Sequence, residues 1–302
     1  MNEWNFKRIE REDVAVLMPF FSLRPTKVCD STLFDSYLWR DYYDVEFCIR
    51  DGRAVEWRMK SDGEYFAAMP LCTAEDLPYY FEDTRRYFNE VLGRKLALYE
   101  TDEDALAILQ LDPTKFRIEE EVDSADYIYD AEGLRTLAGK TYRKKKNHVN
   151  AFLREYEGRY EYRPLCCSDK QDIWRFLDRW EQNKDDDVAN HLTAEVNGLH
   201  DVLSECTPLD SHMGGIFIDG ELEAFSVGTY NEAMKMAIIH NEKANPEIRG
   251  LYPFINQLFL QREFPDAVLV NREDDLGLPG LRKAKLSYHP IEMARKFNVF
   301  EL

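Results

Sequence analysis

Apolar residues recur at every second position in two stretches of the chain, one in each half. In the first half they include Val45–Ile49 and Val55–Met59, on either side of Asp51-Gly52. In the second half the pattern runs from Met213 to His240, interrupted by Asp219-Gly220. Period-two alternation broken by an Asp-Gly pair is typical of antiparallel strands joined by tight turns. Each half is therefore predicted to contain a meander of three strands.

Each meander is followed by a stretch with apolar residues three or four positions apart, which is typical of an amphipathic helix. These stretches are Thr73–Leu92 and Ile248–Phe264, and each precedes a short apolar strand, at Lys95–Tyr99 and Ala267–Asn271. Further helices of the second half are predicted at Gly139–Tyr156, Gln171–Asn183, Thr193–Cys206 and Leu278–Ser287. Both halves thus follow the order meander, helix, strand, helix, strand.

This order predicts an α+β fold of three α/β layers, in which two mixed, mostly antiparallel sheets are flanked by helices. The order resembles that of the GNAT acyltransferase fold, and its repetition indicates a tandem of two GNAT-like units. A length of 302 residues also fits about two domains. We place the boundary near residue 130. Residues 1–130 are predicted to form a structural N-terminal domain, and residues 131–302 a C-terminal domain that carries the active site.

The charge of the chain is distributed unevenly. Its net charge of −18 argues against a surface that coats nucleic acid or anionic membrane. Residues 1–134 contain 16 basic and 30 acidic side chains, whereas residues 135–302 contain 23 and 27. All six histidines lie after residue 147. Candidate chemistry is therefore expected in the second half.

Several common classes of protein lack support in the sequence. No phosphate-binding P-loop, dinucleotide-binding glycine motif or zinc-protease motif is present. The six cysteines form no C-x-x-C pair and are expected to be free thiols. Asp185, Asp186 and Asp187 lack the spacing of a calcium loop, so no metal site is predicted. No run of 18 apolar residues occurs, which favours a cytoplasmic protein without a transmembrane segment.

A basic segment without carboxylates begins the second half. Between Arg135 and Arg154 there are seven basic residues and no Asp or Glu. Cations on one helix turn can concentrate a phosphate-bearing partner, although a solvated helix face has the same composition. The candidate substrate-binding residues of this segment are Lys144, Lys145, Lys146 and His148.

A second candidate cluster lies at the end of a predicted strand. Polar residues at the carboxyl end of a strand in an α/β layer face the crevice where ligands bind. Glu242 is a candidate general base, and His240 could orient it or the substrate. The alternative is a polar loop between strand and helix, with Asn245 as its cap.

The third cluster follows the strand that ends at residue 271. It contains the substrate-binding candidates Asn271, Arg272, Glu273 and Tyr288, and the catalytic candidates Asp275, Arg282 and Lys285. Arg282 and Lys285 are three positions apart and share a helix face. Paired cations beside carboxylates suit a reaction that develops an oxyanion. Structural ion pairs would give the same composition.

Three segments resemble proteins related to the C-terminal domain of phosphatidylglycerol lysyltransferase. They are TYRKKKNHVNAF (141–152), HNEKANPEIRGLYPFINQ (240–257) and NREDDLGLPGLRKAKLSYHP (271–290). The resemblance implies a tandem GNAT-like fold and, by analogy, transfer of an aminoacyl group from aminoacyl-tRNA to an acceptor. It also implies that Gly280, Leu281, Arg282 and Lys285 lie in the active-site region.

Two departures leave other functions open. Full-length lysyltransferases carry a membrane-spanning portion that this chain lacks, which puts a lipid acceptor in doubt. The loop from Glu247 to Tyr252 has a carboxylate and a bulky side chain where GNAT enzymes bind the pyrophosphate of acyl-CoA, so acyl-CoA is disfavoured and no cofactor is expected. The alternatives are an acyl-CoA N-acyltransferase with a degenerate loop, or a non-catalytic tandem domain that binds RNA or protein.

Overall fold

The computed structural model describes residues 4–181 and 189–302, which form two compact units. The first unit contains Met1–Asp126 and Ala294–Leu302, and the second contains Tyr127–Met293. The last two residues of the predicted helix Gln171–Asn183 lie outside the described residues, and so do Asp185, Asp186 and Asp187.

The first unit is built on two small sheets. Its elements are β1 (Lys7–Arg8), α1 (Val14–Phe21), α2 (Leu33–Leu38), β2 (Glu46–Arg50), β3 (Ala54–Ser61), β4 (Glu64–Phe66), α3 (Leu77–Arg86), β5 (Ala97–Asp102), α4 (Glu103–Leu109), β6 (Phe116–Glu120) and, at the end of the chain, β14 (Lys296–Glu301). The strand orders are β1-β2-β3-β4 and β5-β14-β6. Strands β2 and β3 pair antiparallel across the predicted Asp51-Gly52 turn. A parallel bridge between Ala67 and Leu98 follows the meander, as a GNAT-like order requires.

The second unit is built on one sheet of seven strands. Its elements are β7 (Asp126–Asp130), α5 (Ala131–Thr136), α6 (Arg143–Glu155), β8 (Tyr160–Pro164), α7 (Lys170–Glu181), α8 (Ala189–Glu205), β9 (Ser211–Ile218), β10 (Glu221–Asn231), β11 (Met236–Ala244), α9 (Leu251–Glu263), β12 (Leu269–Asn271), α10 (Pro279–Leu286) and β13 (Glu292–Ala294). The strand order is β13-β7-β12-β11-β10-β9-β8.

Strands β9, β10 and β11 form the predicted antiparallel meander, and α9 then crosses over to β12, which is parallel to β11. Apolar residues of α6 and α9, including Phe152, Phe254 and Phe259, pack against this sheet. The meander and crossover confirm the predicted GNAT-like fold class, with mixed sheets flanked by helices.

The assignment of the last strand differs from the predicted domain division. We expected residues 131–302 to form one domain, but β14 pairs antiparallel with β5 and β6 of the first unit. Strand β7, which ends the first half of the sequence, lies in the sheet of the second unit beside β12. Alternation along a strand indicates which face is buried but not which edge it joins, so this exchange was not predicted.

The expectation that all cysteines are free thiols is wrong for one pair. Cys167, just before α7, and Cys206, just after α8, are joined in a disulfide within the second unit. Their sequence separation of 39 residues gave no local motif that could have indicated the pairing. Cys29, Cys48 and Cys72 are buried thiols outside this disulfide, and Cys166 is an exposed one.

The helices of the described ranges include none with the combination of length and apolarity that a bilayer crossing requires.

Candidate functional site

The second unit opens where β11 and β12 separate. The two strands pair only from Met236 and Leu269 to Ile238 and Asn271, after which β11 continues alone beside β10. The register between β10 and β11 shifts at this point, so that His240 is the extra residue of a β-bulge. Bulges redirect side chains and are common beside functional sites. Because β11 and β12 are parallel, the last part of β11, which carries His240 and Glu242, lies at the same edge of the sheet as the cluster that follows β12.

A buried ion pair occupies this opening. Arg272 Nη2 lies 2.8 Å from Glu242 Oε1, and Asn256 Nδ2 donates a 2.9 Å hydrogen bond to Glu242 Oε2. The Arg272 and Glu242 side chains are only 13% and 9% exposed. Burial acts to lower the pKa of Arg272, but Glu242, Tyr288 and Tyr129 together outweigh it and the pKa is raised. Arg272 also lies 4.6 Å from the ring centroid of Tyr288, so the predicted residues 242, 272 and 288 are brought together.

His240 contacts a different carboxylate from the one we expected. Its Nδ1 is 2.9 Å from Glu273 Oε1, and its Nε2 is 2.9 Å from Thr229 Oγ1. Asn271 Oδ1 accepts a 2.6 Å hydrogen bond from the backbone N–H of Glu273. His240 and Asn271 therefore position Glu273, while Arg272 and Asn256 position Glu242.

Asp275 and Arg282 form a bidentate pair. Arg282 Nε and Nη2 each lie 2.8 Å from an oxygen of Asp275, and the Tyr127 hydroxyl also donates to this carboxylate. Burial acts to raise the pKa of Asp275, but the hydrogen bonds from Arg282 and Tyr127 prevail and hold it below its usual value. A carboxylate stabilised in this way is a weak proton acceptor at neutral pH.

Lys285 acts on the backbone of the same segment. Its Nζ donates to the carbonyl oxygen of Arg272 at 2.6 Å and to the carbonyl oxygen of Asp274. The predicted shared helix face of Arg282 and Lys285 thus contacts the segment between Arg272 and Asp275. Through these contacts α10 holds the Arg272 side of the opening in place.

The start of α6 supplies the basic surface, which we define as Lys144, Lys145, Lys146, His148 and Arg249. Lys144 and Lys146 are exposed, whereas Lys145 is half-buried. The His148 pKa is lowered by burial and by the nearby charges of Arg249, Lys144 and Lys145, which shows that these cations are close together. Arg249 comes from the loop before α9 and was not among the predicted site residues.

Gly250 determines the backbone conformation of the loop before α9. Gly250 has a φ of +86°, and a Cβ there would lie 2.2 Å from the carbonyl oxygen of His148 on α6. The glycine is therefore explained by close packing of the loop on α6 as well as by its backbone conformation. Glu247 is exposed, and Tyr252 accepts a 3.2 Å hydrogen bond from Trp180 Nε1.

Replacing Gly250 by alanine is expected to lower the free energy of unfolding of the second unit by about 2–4 kcal/mol, because backbone strain and a clash with His148 act together. Gly280 provides the matched control, since it lies in α10 and a Cβ there would meet nothing within 4 Å. Gly280→Ala should be neutral or stabilising by up to about 1 kcal/mol. Urea unfolding of both variants tests this. Equal changes in the free energy of unfolding for the two variants would show that the close approach of Gly250 to His148 is unimportant.

Sequence reasoning missed several neighbours of the site. Asn256 is 1% exposed on α9, but Gln257 and Gln261 are amides of the same helix, so the sequence did not single it out. Tyr127 and Tyr129 alternate along β7, but we had assigned this strand to the other half. Thr229 gave no signal, since its role depends on the strand pairing around His240.

A cluster that could resemble a metal site lies in the first unit. Cys29, Asp30 and Asp126 place ligand atoms within 4.8 Å of one another. Lys296 Nζ lies 2.6 Å from Asp30 Oδ2 and 3.0 Å from Asp126 Oδ1. It is also 3.5 Å from the Cys29 sulfur. The cation among these groups is therefore the lysine ammonium.

Comparisons with known proteins agree with the fold. An uncharacterized protein of Mycoplasmoides gallisepticum is 23% identical over 231 residues, which are 75% of this chain and 72% of the relative. The crystal structure of a conserved protein of unknown function from Bacteroides thetaiotaomicron has a TM-score of 0.88 at 27% identity, covering 99% of this chain and 100% of the other.

A second similar structure is the C-terminal domain of a protein assigned as a lysylphosphatidylglycerol synthetase in Agrobacterium fabrum. It has a TM-score of 0.69 at 15% identity and covers 96% of this chain and 91% of the other, a likeness of fold. The family model for the C-terminal region of phosphatidylglycerol lysyltransferase matches residues 21–300. The chain belongs to this family, which confirms the resemblance seen in its sequence.

Proposed function

We propose that the second unit transfers an aminoacyl or acyl group from a phosphate-bearing donor, such as aminoacyl-tRNA, to an amine or hydroxyl acceptor. The observation that carries the proposal is the Glu242–Arg272 pair, which lies in the opening between β11 and β12 and close to the basic surface. Membership of the phosphatidylglycerol lysyltransferase family supports transfer chemistry of this class.

In this reaction the basic surface binds phosphate groups of the donor. Lys144 and Lys146 are exposed on the first turns of α6, and the stretch around them contains no carboxylate. Such a surface attracts a polyanion although the whole chain has a net charge of −18. The donor carbonyl then enters the opening beside Glu242.

Glu242 is the proton acceptor in this proposal. As the acceptor nitrogen or oxygen bonds to the donor carbonyl carbon, its proton moves to Glu242, and it passes to the donor oxygen when the old ester bond breaks. Arg272 and Asn256 fix the direction of the Glu242 carboxylate. Asp275 is less suited to this role, because it accepts two hydrogen bonds from Arg282 and one each from Tyr127 and Gly277, which hold its pKa low, whereas Glu242 accepts one from Arg272 and one from Asn256.

Arg282 and Lys285 receive different roles. The Arg282 side chain is 40% exposed and Asp275 fixes its orientation, so it can present a positive charge to the tetrahedral oxyanion. The Lys285 ammonium donates its hydrogen bonds to the carbonyl oxygens of Arg272 and Asp274, so we assign it a positioning role.

Charge reversal on the basic surface tests the docking step. The double variant Lys144→Glu with Lys146→Glu is expected to weaken tRNA binding at least about tenfold and to flatten its salt dependence, because fewer counterions are released. Filter binding at several salt concentrations measures both quantities. The control is Lys95→Glu with Lys115→Glu, which changes net charge equally at exposed positions of the first unit. Equal weakening by both pairs would contradict docking at α6.

A further inference from the structure

Lys145 differs from the two lysines beside it in where its amine lies. Lys144 and Lys146 are exposed, whereas Lys145 is half-buried, with its Nζ 3.7 Å from the ring centroid of Tyr288. Within residues 4–181 and 189–302, no carboxylate forms an ion pair with this amine. The helix turn therefore presents two solvated ammonium groups and one that is partly removed from water.

The surroundings of Lys145 come from four elements: the Tyr288 ring face and Glu242 favour its positive charge, whereas burial, Arg272 and Lys144 disfavour it. Arg272 follows β12, Lys144 precedes it on α6, Tyr288 follows α10 and Glu242 lies on β11. Burial lowers the pKa of Lys145 to about 8, and Arg272 and Lys144 act in the same direction. Glu242 opposes them, but its charge is already paired with Arg272.

We propose that Lys145 is a covalent modification site at which activated acyl groups carried by phosphate become attached. In this step the neutral amine attacks the carbonyl carbon of an acyl phosphate and a carbon–nitrogen bond forms. The bond from that carbon to the phosphate oxygen breaks, and one amine proton leaves with the phosphate. The product is a stable amide and inorganic phosphate, and no oxidant, reductant or further reactant is needed.

The basic surface explains why the acyl group should arrive on a phosphate. Lys144 and Arg249 are cations, and the segment that carries Lys145 has no carboxylate, so small anions concentrate there. Acylation removes one of these positive charges beside Tyr288. A modified chain should consequently bind any phosphate-bearing ligand of this surface less tightly.

Acetyl phosphate is the probe for this proposal. The purified full chain is incubated with it at pH 8, and acetylation of each lysine is followed by peptide mass spectrometry. At this pH about half of Lys145 is neutral. An ordinary lysine with a pKa near 10.4 is only about 0.4% neutral. We expect acetylation of Lys145 to be at least about tenfold faster than that of Lys144 or Lys146, and its rate to level off above pH 8.5.

The adjacent lysines and the unfolded chain are the controls. In guanidinium chloride the three positions should react alike, and Lys145→Arg should remove the fast site. Equal rates at the three lysines in the folded chain, or a preference for Lys145 that persists after unfolding, would overturn the proposal. Neither tRNA nor an acceptor is present, so this outcome is independent of the proposed transfer reaction.

Discussion

Replacing Lys296 by methionine is expected to lower the free energy of unfolding of the first unit by about 3–5 kcal/mol. The ammonium is 1% exposed and lies among the carboxylates of Asp30, Asp126 and Glu100, at 2.6, 3.0 and 3.8 Å. Asp126 is completely buried, so without Lys296 its charge would remain in a medium that does not solvate it. Methionine keeps the approximate length of the side chain, so the decrease in the free energy of unfolding measures the effect of removing the charge.

The pH of the measurement follows from the pKa of Lys296. Burial acts to lower this pKa, but Asp126 and Asp30 outweigh it and raise the pKa well above the ordinary value. The lysine's contribution to stability is then complete below its unfolded pKa of about 10.4 and is lost only at higher pH. Urea unfolding at neutral pH therefore measures the full contribution of Lys296 to stability.

Arg295 is the matched control for this prediction because it is the preceding residue. Its side chain is 44% exposed and contacts Glu103 and Glu120 at the surface. Arg295→Met should cost less than about 1 kcal/mol. If Lys296→Met cost no more than Arg295→Met, the buried cluster would not be important for the stability of the first unit.

The second large effect is expected in transfer activity. Glu242→Gln with Arg272→Met removes both charges of the buried pair and should lower the transfer rate by about 10²–10⁴, the contribution of a general base. The double variant is preferable to Glu242→Gln alone. The single change would leave the Arg272 guanidinium buried without its carboxylate, at a cost of about 3–5 kcal/mol.

Thermal unfolding separates loss of chemistry from loss of structure. Removing both members of a buried ion pair is often neutral for stability, so the double variant should unfold near the wild-type temperature. A folded double variant that retained full activity would mean that the Glu242–Arg272 pair has only a structural function.

The meanders could be predicted because their determinants are local. Asp51-Gly52 and Asp219-Gly220 give both the turn and the limits of the strands on either side. The exchange of β7 and β14 could not be predicted in the same way, since strand pairing between positions as far apart as Asp130 and Leu269, or Lys296 and Asp102, leaves no periodic signal. Lys296 is the clearest case of a residue whose environment could not be predicted. A lysine at the start of the last strand gives no sign in sequence that it is buried among carboxylates of the first unit.

Most residues of the candidate site could be named from sequence, but their pairings could not be assigned. Each cluster was predicted at the end of its own strand, but the parallel pairing of β11 and β12, which brings the two clusters together, was not predicted. We expected His240 to orient Glu242 or the substrate. Instead, the bulge places the His240 side chain beside Glu273, and Glu242 pairs with Arg272. Likewise, three consecutive lysines look equivalent in sequence, and only the rotation of about 100° per residue along α6 separates Lys145 from its neighbours.

Transfer of an aminoacyl group by the second unit can be measured as the loss of label from aminoacyl-tRNA. The purified chain is mixed with tRNA charged with radiolabelled amino acids, and phosphatidylglycerol vesicles or ethanolamine are supplied as acceptors. A parallel reaction contains labelled acetyl-CoA. We predict that the wild-type chain moves label from aminoacyl-tRNA to an acceptor much faster than spontaneous hydrolysis releases it, and that Glu242→Gln with Arg272→Met does not. Label that stays on the tRNA at the spontaneous rate would contradict aminoacyl transfer, and label that leaves acetyl-CoA instead would identify the chain as an acyl-CoA-dependent enzyme.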